Sequence, residues 1–303
     1  MRLLLIDGHY YVYRSFHAIQ SLSNSRGEPT NAIYGFVKTV RKMLKDIQPA
    51  YAAVFWDEGL PERRTSLQPG YKQQREAMPD KMVPQLDFIR RLCASMGLVS
   101  IGKANTEADD LMACYVAAAA DRGIDCVLAT NDKDLFQLVG PRVHVYSTNK
   151  GDLRSPQDGF VLLGETEVLQ KWGVPPTGIG EVLALAGDGV DNIPGIEGVG
   201  PKTAAALIRE FGTVEILLQN LERVPNVRLR EKLAAGRARI RQNREMVRLE
   251  LDHDLPTPVE SLVIQPDYSA YLAALQQCEF RSLLNEVTLE AGQSIQTQQQ
   301  ELF

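Results

Sequence analysis

The sequence predicts an α/β fold: a mostly parallel, Rossmann-like central sheet flanked by helices, followed by a helical region. Three observations predict it. Short apolar runs alternate with helical stretches through the first half, and three of those runs end on or just before aspartates. From about residue 176 the strand patterns stop, and short helices separated by Gly/Pro turns take over.

The first run, Leu3-Leu4-Leu5-Ile6 in a strand over 2–6, leads into Asp7. A helix over about 31–46 follows, then a strand over 51–56 whose Ala53-Val54-Phe55-Trp56 ends at Asp57. A helix over about 82–96, a strand over about 98–101, a helix over 107–121 and strands over 125–130 and 142–146 complete the alternation. Apolar runs of this length read as buried strands, and their alternation with helices argues a parallel sheet. Ligands bind such sheets beyond the strands' carboxyl ends. Asp7, Asp57 and the Asp132/Asp134 pair behind Val127-Leu128-Ala129 are therefore expected along one edge.

Between Asp57 and the helix near Met82 lies a long interruption with three Pro and the basic residues Arg63, Arg64, Lys72, Arg75 and Lys81. Loops this long inside a compact domain are usually functional or mobile. Thr106, with Asp109 three residues later, has the form of a capping box. Acids in a first helical turn complement the macrodipole. Glu107, Asp109 and Asp110 together exceed what capping needs, and Glu107 and Asp110 share a face. In LALAGDGVDNIPG, three-residue spacing at a helix end would aim Asp188 and Asp191 the same way. GIEGVGPKTAAALIREFG then reads as a hairpin turn into a helix, with Pro201 in the first turn and Gly212 at the C-terminal cap. Bare N–H groups at Gly198-Val199-Gly200, with Lys202 adding charge, offer a seat for phosphate.

Nine carboxylates thus stand out: Asp7, Asp57, Glu107, Asp109, Asp110, Asp132, Asp134, Asp188 and Asp191. Gathered together they would repel one another unless cations sat among them. Oxygen ligands without Cys or His favour Mg²⁺ or Mn²⁺ over zinc. There are more carboxylates than one octahedral ion can use, so a pair of ions is expected, the usual device for in-line displacement at phosphorus. Phosphodiester hydrolysis is the first hypothesis.

Composition fits. The 303 residues are 44% hydrophobic and 23% charged, ordinary for a globular protein. No apolar run approaches the ~18 residues of a membrane span, and the N-terminus lacks a signal peptide's apolar region. Cys93, Cys114, Cys126 and Cys278 show no CxxC spacing, which points to a reducing, cytoplasmic setting. The net charge of −5 looks wrong for a nucleic-acid partner until the nine acids are set aside, which leaves the rest about four charges positive. Arg228, Arg230, Lys232, Arg237, Arg239, Arg241, Arg244 and Arg248 form a basic run that reads either as a phosphate-binding surface or as a solvated helix face.

Taken together, LLLIDGHYYVYRSFHA (3–18), TNAIYGFVKTV (30–40), AVFWD (53–57), TEADDLMA (106–113), TNDKDLFQLV (130–139), GDGVDNIPGIEGVGPKTA (187–204) and EFRSLLNEV (279–287) resemble the 5′ nuclease family. That family comprises the N-terminal nuclease domain of bacterial DNA polymerase I, phage 5′ exonucleases and flap endonucleases. The resemblance implies a PIN-like fold with a core over 1–175, an arch over about 59–81, and a helix-three-turn-helix region gripping duplex DNA over 176–290. By the same resemblance, Asp7, Asp57, Glu107, Asp109 and Asp110 serve a first Mg²⁺ or Mn²⁺, directly or through water. Asp132, Asp134, Asp188 and Asp191 serve the pair and the second ion, and a K⁺ is implied at the hairpin turn. Lys72 and Arg75 fall in the arch and would offset transition-state charge as catalytic residues. Tyr13, Arg14, Arg64, Gly198, Gly200, Lys202 and Thr203 would contact DNA, whereas Tyr11 reads as core and His9 and His17 as structural. The family's early arch lysine has no counterpart, since Glu58-Gly59 follow Asp57.

The implied activity is that of a 5′-3′ exonuclease and flap endonuclease, monomeric, acting on flaps, nicks, 5′ ends or RNA–DNA hybrids in replication and repair, and leaving 5′-phosphate and 3′-hydroxyl ends. The chain ends within 16 residues of EFRSLLNEV, as a stand-alone nuclease would. Residues 291–303 are expected to be disordered, and their end reads either as a bacterial sliding-clamp-binding peptide, which Gln299, Leu302 and Phe303 resemble and Gln300 and Glu301 do not, or as a low-complexity tail with an accidental Leu-Phe. A non-catalytic junction-binding module would have lost carboxylates. A toxin-like ribonuclease would lack the Asp188/Asp191 pair and the hairpin turn.

Overall fold

The computed structural model describes residues 1–153, 155 and 157–301. In chain order its elements are β1 (Arg2–Asp7), α1 (Gly8–Ala18), α2 (Asn31–Ile47), β2 (Tyr51–Phe55), α3 (Glu62–Leu67), α4 (Val83–Ser95), β3 (Val99–Ile101), α5 (Ala108–Ala120), β4 (Asp125–Ala129), β5 (Val143–Ser147), β6 (Val161–Leu163), α6 (Glu165–Trp172), α7 (Ile179–Ala186), β7 (Gly187–Asp188), β8 (Ile193–Pro194), α8 (Pro201–Phe211), α9 (Val214–Gln219), α10 (Val227–Ala235), α11 (Arg237–Val247), α12 (Tyr268–Gln277) and α13 (Arg281–Glu301). They form two compact units: one from 1–56, 78–101 and 257 onward, the other from 57–77 and 102–256. The fold is α/β, with a mostly parallel sheet flanked by helices.

In the first unit β2 lies between β1 and β3, parallel to both, with Leu3 opposite Tyr51 and Ala53 opposite Val99. Leu3 to Ile6 are fully buried, as a continuous apolar run in a sheet covered on both faces requires. Helix α1, absent from the expected elements, starts at once after β1, because the Asp7 carboxylate accepts from Tyr10 N at 3.0 Å and caps it. Gly8 is needed there, since a Cβ would strike the Trp56 ring. Buried Gln85 of α4 accepts from Ala32 N at 2.8 Å and donates to Asn31, locking α4 to the start of α2. The C-terminal return joins the same unit: Ala52 N donates to Leu262 O, and Arg41 pairs with Glu286 and Glu290 of α13.

Helix α13 runs to Glu301, so the stretch over 291–301, expected as disordered, is helical here. Glutamine is a good helix former, and after Gly292 nothing in the stretch breaks the helix.

In the second unit β4 pairs parallel with β5, and β6 returns antiparallel on β5, an edge strand outside the expected elements. Helices α8 and α11 both pack on α7. Buried Asn243 of α11 donates to Ala184 O and Pro194 O, tying that basic helix to the end of α7 and to β8. No helix among the described residues is long and apolar enough to cross a membrane, and the four cysteines are free and buried.

Candidate metal centre

Eight of the nine acids belong to the second unit; Asp7, the helix cap of α1, belongs to the first. Helix α5 does not begin with the expected capping box. Its N-cap is Glu107, without a side-chain cap bond, and the Asp57 Oδ1 instead accepts from Ala108 N at 2.8 Å. A carboxylate 51 residues away thus satisfies the helix start, which leaves Glu107, Asp109 and Asp110 for other work. One oxygen from each of those three lies within 4.8 Å of the others.

After β4, Asp134 N donates to Asp132 Oδ1 at 2.9 Å, so the two carboxylates are set by a tight turn. The buried Asp134 Oδ1 has no hydrogen-bond partner among the described residues. Burial, and next the charge of Asp132, push the Asp134 carboxyl well above the usual carboxylate range. Burial and then Asp110 do the same to Asp109, and burial also raises Asp132, which feels the charges of Asp191 and Asp188 as well. These groups crowd negative charge in a place poor in water, the condition a divalent cation relieves.

Asp188 and Asp191 do not sit at a helix end. Helix α7 stops at Ala186, and Gly187–Asp188 pairs with Ile193–Pro194 in a tight hairpin. Gly187 has φ of 73°, and the backbone of Gly195 crowds the place a Cβ would occupy. The hairpin strands are two residues each, too short to show a period in sequence. The turn sends the two acids to different partners: Asp188 takes Lys133 at 2.9 Å on both oxygens, and Asp191 takes Arg75 at 2.6 Å.

Cations from residues 57–77 enter the acidic centre. Lys72, 9% exposed, pairs with Glu107 and lies 3.8 Å from Asp191. Burial disfavours its charge, but Glu107 and Asp191 outweigh that and raise its pKa. The Tyr71 hydroxyl, buried between Glu107 and Asp191, lies 3.1–3.2 Å from both carboxylates. The expected arch is a short helix, α3, followed by turns tied to the hairpin: Lys72 N donates to Asp191 O, Asn192 Nδ2 donates to Gly70 O, and Gln68 and Gln74 donate to Asn192 O and Gly189 O.

Arg64, expected on DNA, is only 1% exposed. Its guanidinium forks onto Asp110 at 2.7 and 2.9 Å, reaches Glu107, and donates to Met246 O and Arg248 O. Five acceptors surround it, so no face is left for an external phosphate. Lys133 is a residue sequence reading passed over, and Tyr71, which with Lys72 and Arg75 makes the Tyr-Lys-x-x-Arg segment of the arch, gets no role at the acids from the sequence alone. The cue for Lys133 was a lone cation inside DKD, between two acids that crowding would otherwise destabilise.

The other predicted contacts lie elsewhere. Gly198 has φ of 79°, as the turn before a helix requires, and α8 begins at Pro201 with Lys202 exposed and Thr203 half-buried. In the first unit Tyr11 is buried as core, Tyr13 is half-buried beside His17, and Arg14 is exposed. Several cations of the basic run are engaged, Lys232 by Glu197, Arg241 by Glu215 and Arg244 by Glu181. Gln299 falls within the α13 backbone, and Leu302 and Phe303 lie outside the described residues.

The family models for the 5′-3′ exonuclease N-terminal resolvase-like domain and C-terminal SAM fold match residues 2–173 and 174–270. The chain belongs to the 5′-3′ exonuclease family. It is 37% identical over 286 residues to a 5′-3′ exonuclease of Aquifex aeolicus, covering 94% of each chain. It is 35% identical to DNA polymerase I of Rhizobium leguminosarum, across 94% of this chain but 28% of that protein, and 36% identical to the thermostable DNA polymerase I of Thermus aquaticus, of which it spans 33%. The chain therefore spans about a third of those polymerases. Among solved structures, bacteriophage T5 5′-exonuclease with bound zinc superposes with a TM-score of 0.68 at 22% identity, covering 96% of this chain and 98% of that one. The Rad2 catalytic core in complex with DNA substrate does so with a TM-score of 0.63 at 17% identity, covering 95% and 91%. Both share the fold.

Proposed function

We propose that this chain is a divalent-metal-dependent, structure-specific 5′ nuclease, a 5′-3′ exonuclease and flap endonuclease that hydrolyses DNA phosphodiesters to leave 5′-phosphate and 3′-hydroxyl ends. One observation carries the reading. Among the described residues Arg64, Lys72, Arg75 and Lys133 pair with Asp110, Glu107, Asp191 and Asp188, while Asp109, Asp132 and Asp134 lie among further carboxylates, with burial and that negative charge raising the pKa of each. Divalent ions would relieve that crowding, and the buried Asp134 Oδ1, with no hydrogen-bond partner among the described residues, is suited to be a ligand. An all-oxygen donor set favours Mg²⁺ or Mn²⁺.

Asp57, Asp109, Asp132, Asp134, Asp188 and Asp191 would hold the pair, Glu107 and Asp110 would act from behind, and Asp7 keeps the ligand role that the family resemblance gives it. When bound, two such ions supply an activated water and stabilise the leaving oxygen. Lys72 and Arg75 hold Glu107 and Asp191 in place and put positive charge where the phosphoryl group gains negative charge. The Gly198–Gly200 turn with Lys202 and Thr203 would seat a duplex phosphate at the α8 N-terminus, with a K⁺ there, while Tyr13 and Arg14 would contact the 5′ strand.

The T5 flap endonuclease in complex with DNA and metal ions and the Rad2 catalytic core in complex with DNA substrate share this fold and support DNA as partner, and RNA–DNA hybrids are included as substrates. The protein would act as a monomer in the cytoplasm, in replication and repair, tethered to the sliding clamp through Gln299, Leu302 and Phe303. Incubating 5′-flap, nicked and linear duplexes with Mg²⁺ or EDTA tests the reading, with Asp132→Ala as control. Mg²⁺-dependent cleavage by wild type alone is expected; binding without cleavage by either would leave a DNA-binding module. Removing residues 299–303 should abolish clamp pull-down and leave flap cleavage intact.

A further inference from the structure

Arg64 stands apart from the other cations of the centre. Arg75 is 43% exposed and Lys133 39%, so both border solvent, Lys72 is 9% exposed, and Arg64, at 1%, is enclosed and is also, among the described residues, the one of the four tied to the end of α11. Its partners come from two places distant in sequence. Glu107 and Asp110 belong to the start of α5, and Met246 O and Arg248 O to the end of basic helix α11. Asp110 is fully engaged: its Oδ2 accepts from Arg64, and its Oδ1 accepts from Arg64 at 2.9 Å and from Glu250 N at 2.8 Å. The neighbouring Arg63 donates to the Glu250 carboxylate and to Glu245 O and Arg248 O, so two successive arginines fasten residues 245–250.

We infer that Arg64 is a positioning residue for the metal ligands. Its bidentate grip takes Asp110 out of direct coordination and makes it a support, and its bond to Glu107 fixes which oxygen of that acid faces Lys72 and the centre. Through the same guanidinium the end of α11 sets the start of α5, so the seating of the basic helix and the geometry of the acids are one arrangement. The inference deepens the divalent-metal reading above and rests on it. Hydrogen-bonded partners behind metal ligands typically change metal affinity 10- to 100-fold when removed.

The experiment compares Arg64→Lys, Arg64→Met and Arg63→Ala with wild type. Mn²⁺ binding without DNA is followed by the loss of its free-ion EPR signal, and the Mg²⁺ dependence of flap cleavage is measured alongside. Arg64→Lys keeps the charge but not the fork, and folding of each variant is checked by circular dichroism. About 10-fold weaker Mn²⁺ binding is expected for Arg64→Lys and up to about 100-fold for Arg64→Met, with the Mg²⁺ activation midpoint raised in parallel. In Arg64→Lys, flap affinity in EDTA should stay within a few-fold of wild type, and the lost cleavage should be recovered in part as Mg²⁺ is raised. Arg63→Ala should shift less, because Arg63 does not touch Glu107 or Asp110. If Arg64→Met does not fold, Arg64→Lys alone decides. Unchanged Mn²⁺ binding with weakened flap affinity in EDTA would make Arg64 a DNA contact and overturn the inference. Wild type that binds no Mn²⁺ would overturn the metal reading itself, and this inference with it.

Discussion

Within the second unit, the acidic centre and the hairpin turn before α8 use cations in opposite ways. In the centre Arg64, Lys72, Arg75 and Lys133 are all bound to the protein's own carboxylates. At the turn, exposed Lys202 has no ion-pair partner among the described residues, and the same holds for Arg228, Arg237 and Arg239 of the basic run. The difference teaches that net charge alone does not mark a DNA-binding surface. Cations paired internally contribute little field outside the protein, whereas unpaired ones at a helix start are placed to meet an anion.

The largest expected effect separates the two regions. Asp134→Asn should lower cleavage by on the order of 10²–10³-fold, a loss comparable to removing a transition-state electrostatic contact, while flap binding in EDTA stays intact. Equal loss of binding would erase the distinction. Lys72→Ala should come next, with kcat down about 10²-fold and KM little changed. At the turn, Lys202→Ala should weaken binding uniformly across sequences and reduce the slope of log K against log salt by about 0.9; kcat at saturating DNA should hold. Gly198→Ala should cost about 1 kcal/mol of stability in a urea melt, because φ of 79° strains any other residue.

The smallest effect is a difference between melts. Asp109 and Asp134 have raised pKa values, so without metal the folded chain holds protons that the unfolded chain releases, and stability falls as pH rises above the ordinary carboxylate range. Mg²⁺ removes that penalty, so it should raise Tm more at pH 8 than at pH 6. A pH-independent increment would mean that the ion binds elsewhere.

Much of this was legible in the residues. Strands β1, β2 and β4 follow from unbroken apolar runs, and the acids after them follow from where chain leaves a sheet. The helix at Pro201 followed from a proline start and a glycine stop. What stayed hidden lacks a local signature. Two-residue strands around Asp188 and Ile193 have no period to read, and nothing near Asp57 announces that it caps a helix 51 residues away. Arg64 looked like a surface cation because its acceptors lie up to 184 residues distant, and lone arginines are seldom buried.

Those long reaches also bear on the order in which the protein comes into being. Residues 68–74 meet 189–192 across 115–124 positions, and Arg64 meets the end of α11 across 182–184. Contacts so far apart in sequence form late, because the intervening loop must close first. On the ribosome, the acids of α5 therefore emerge long before the chain that orients them, and a nascent chain shorter than about 250 residues should have no assembled acidic centre.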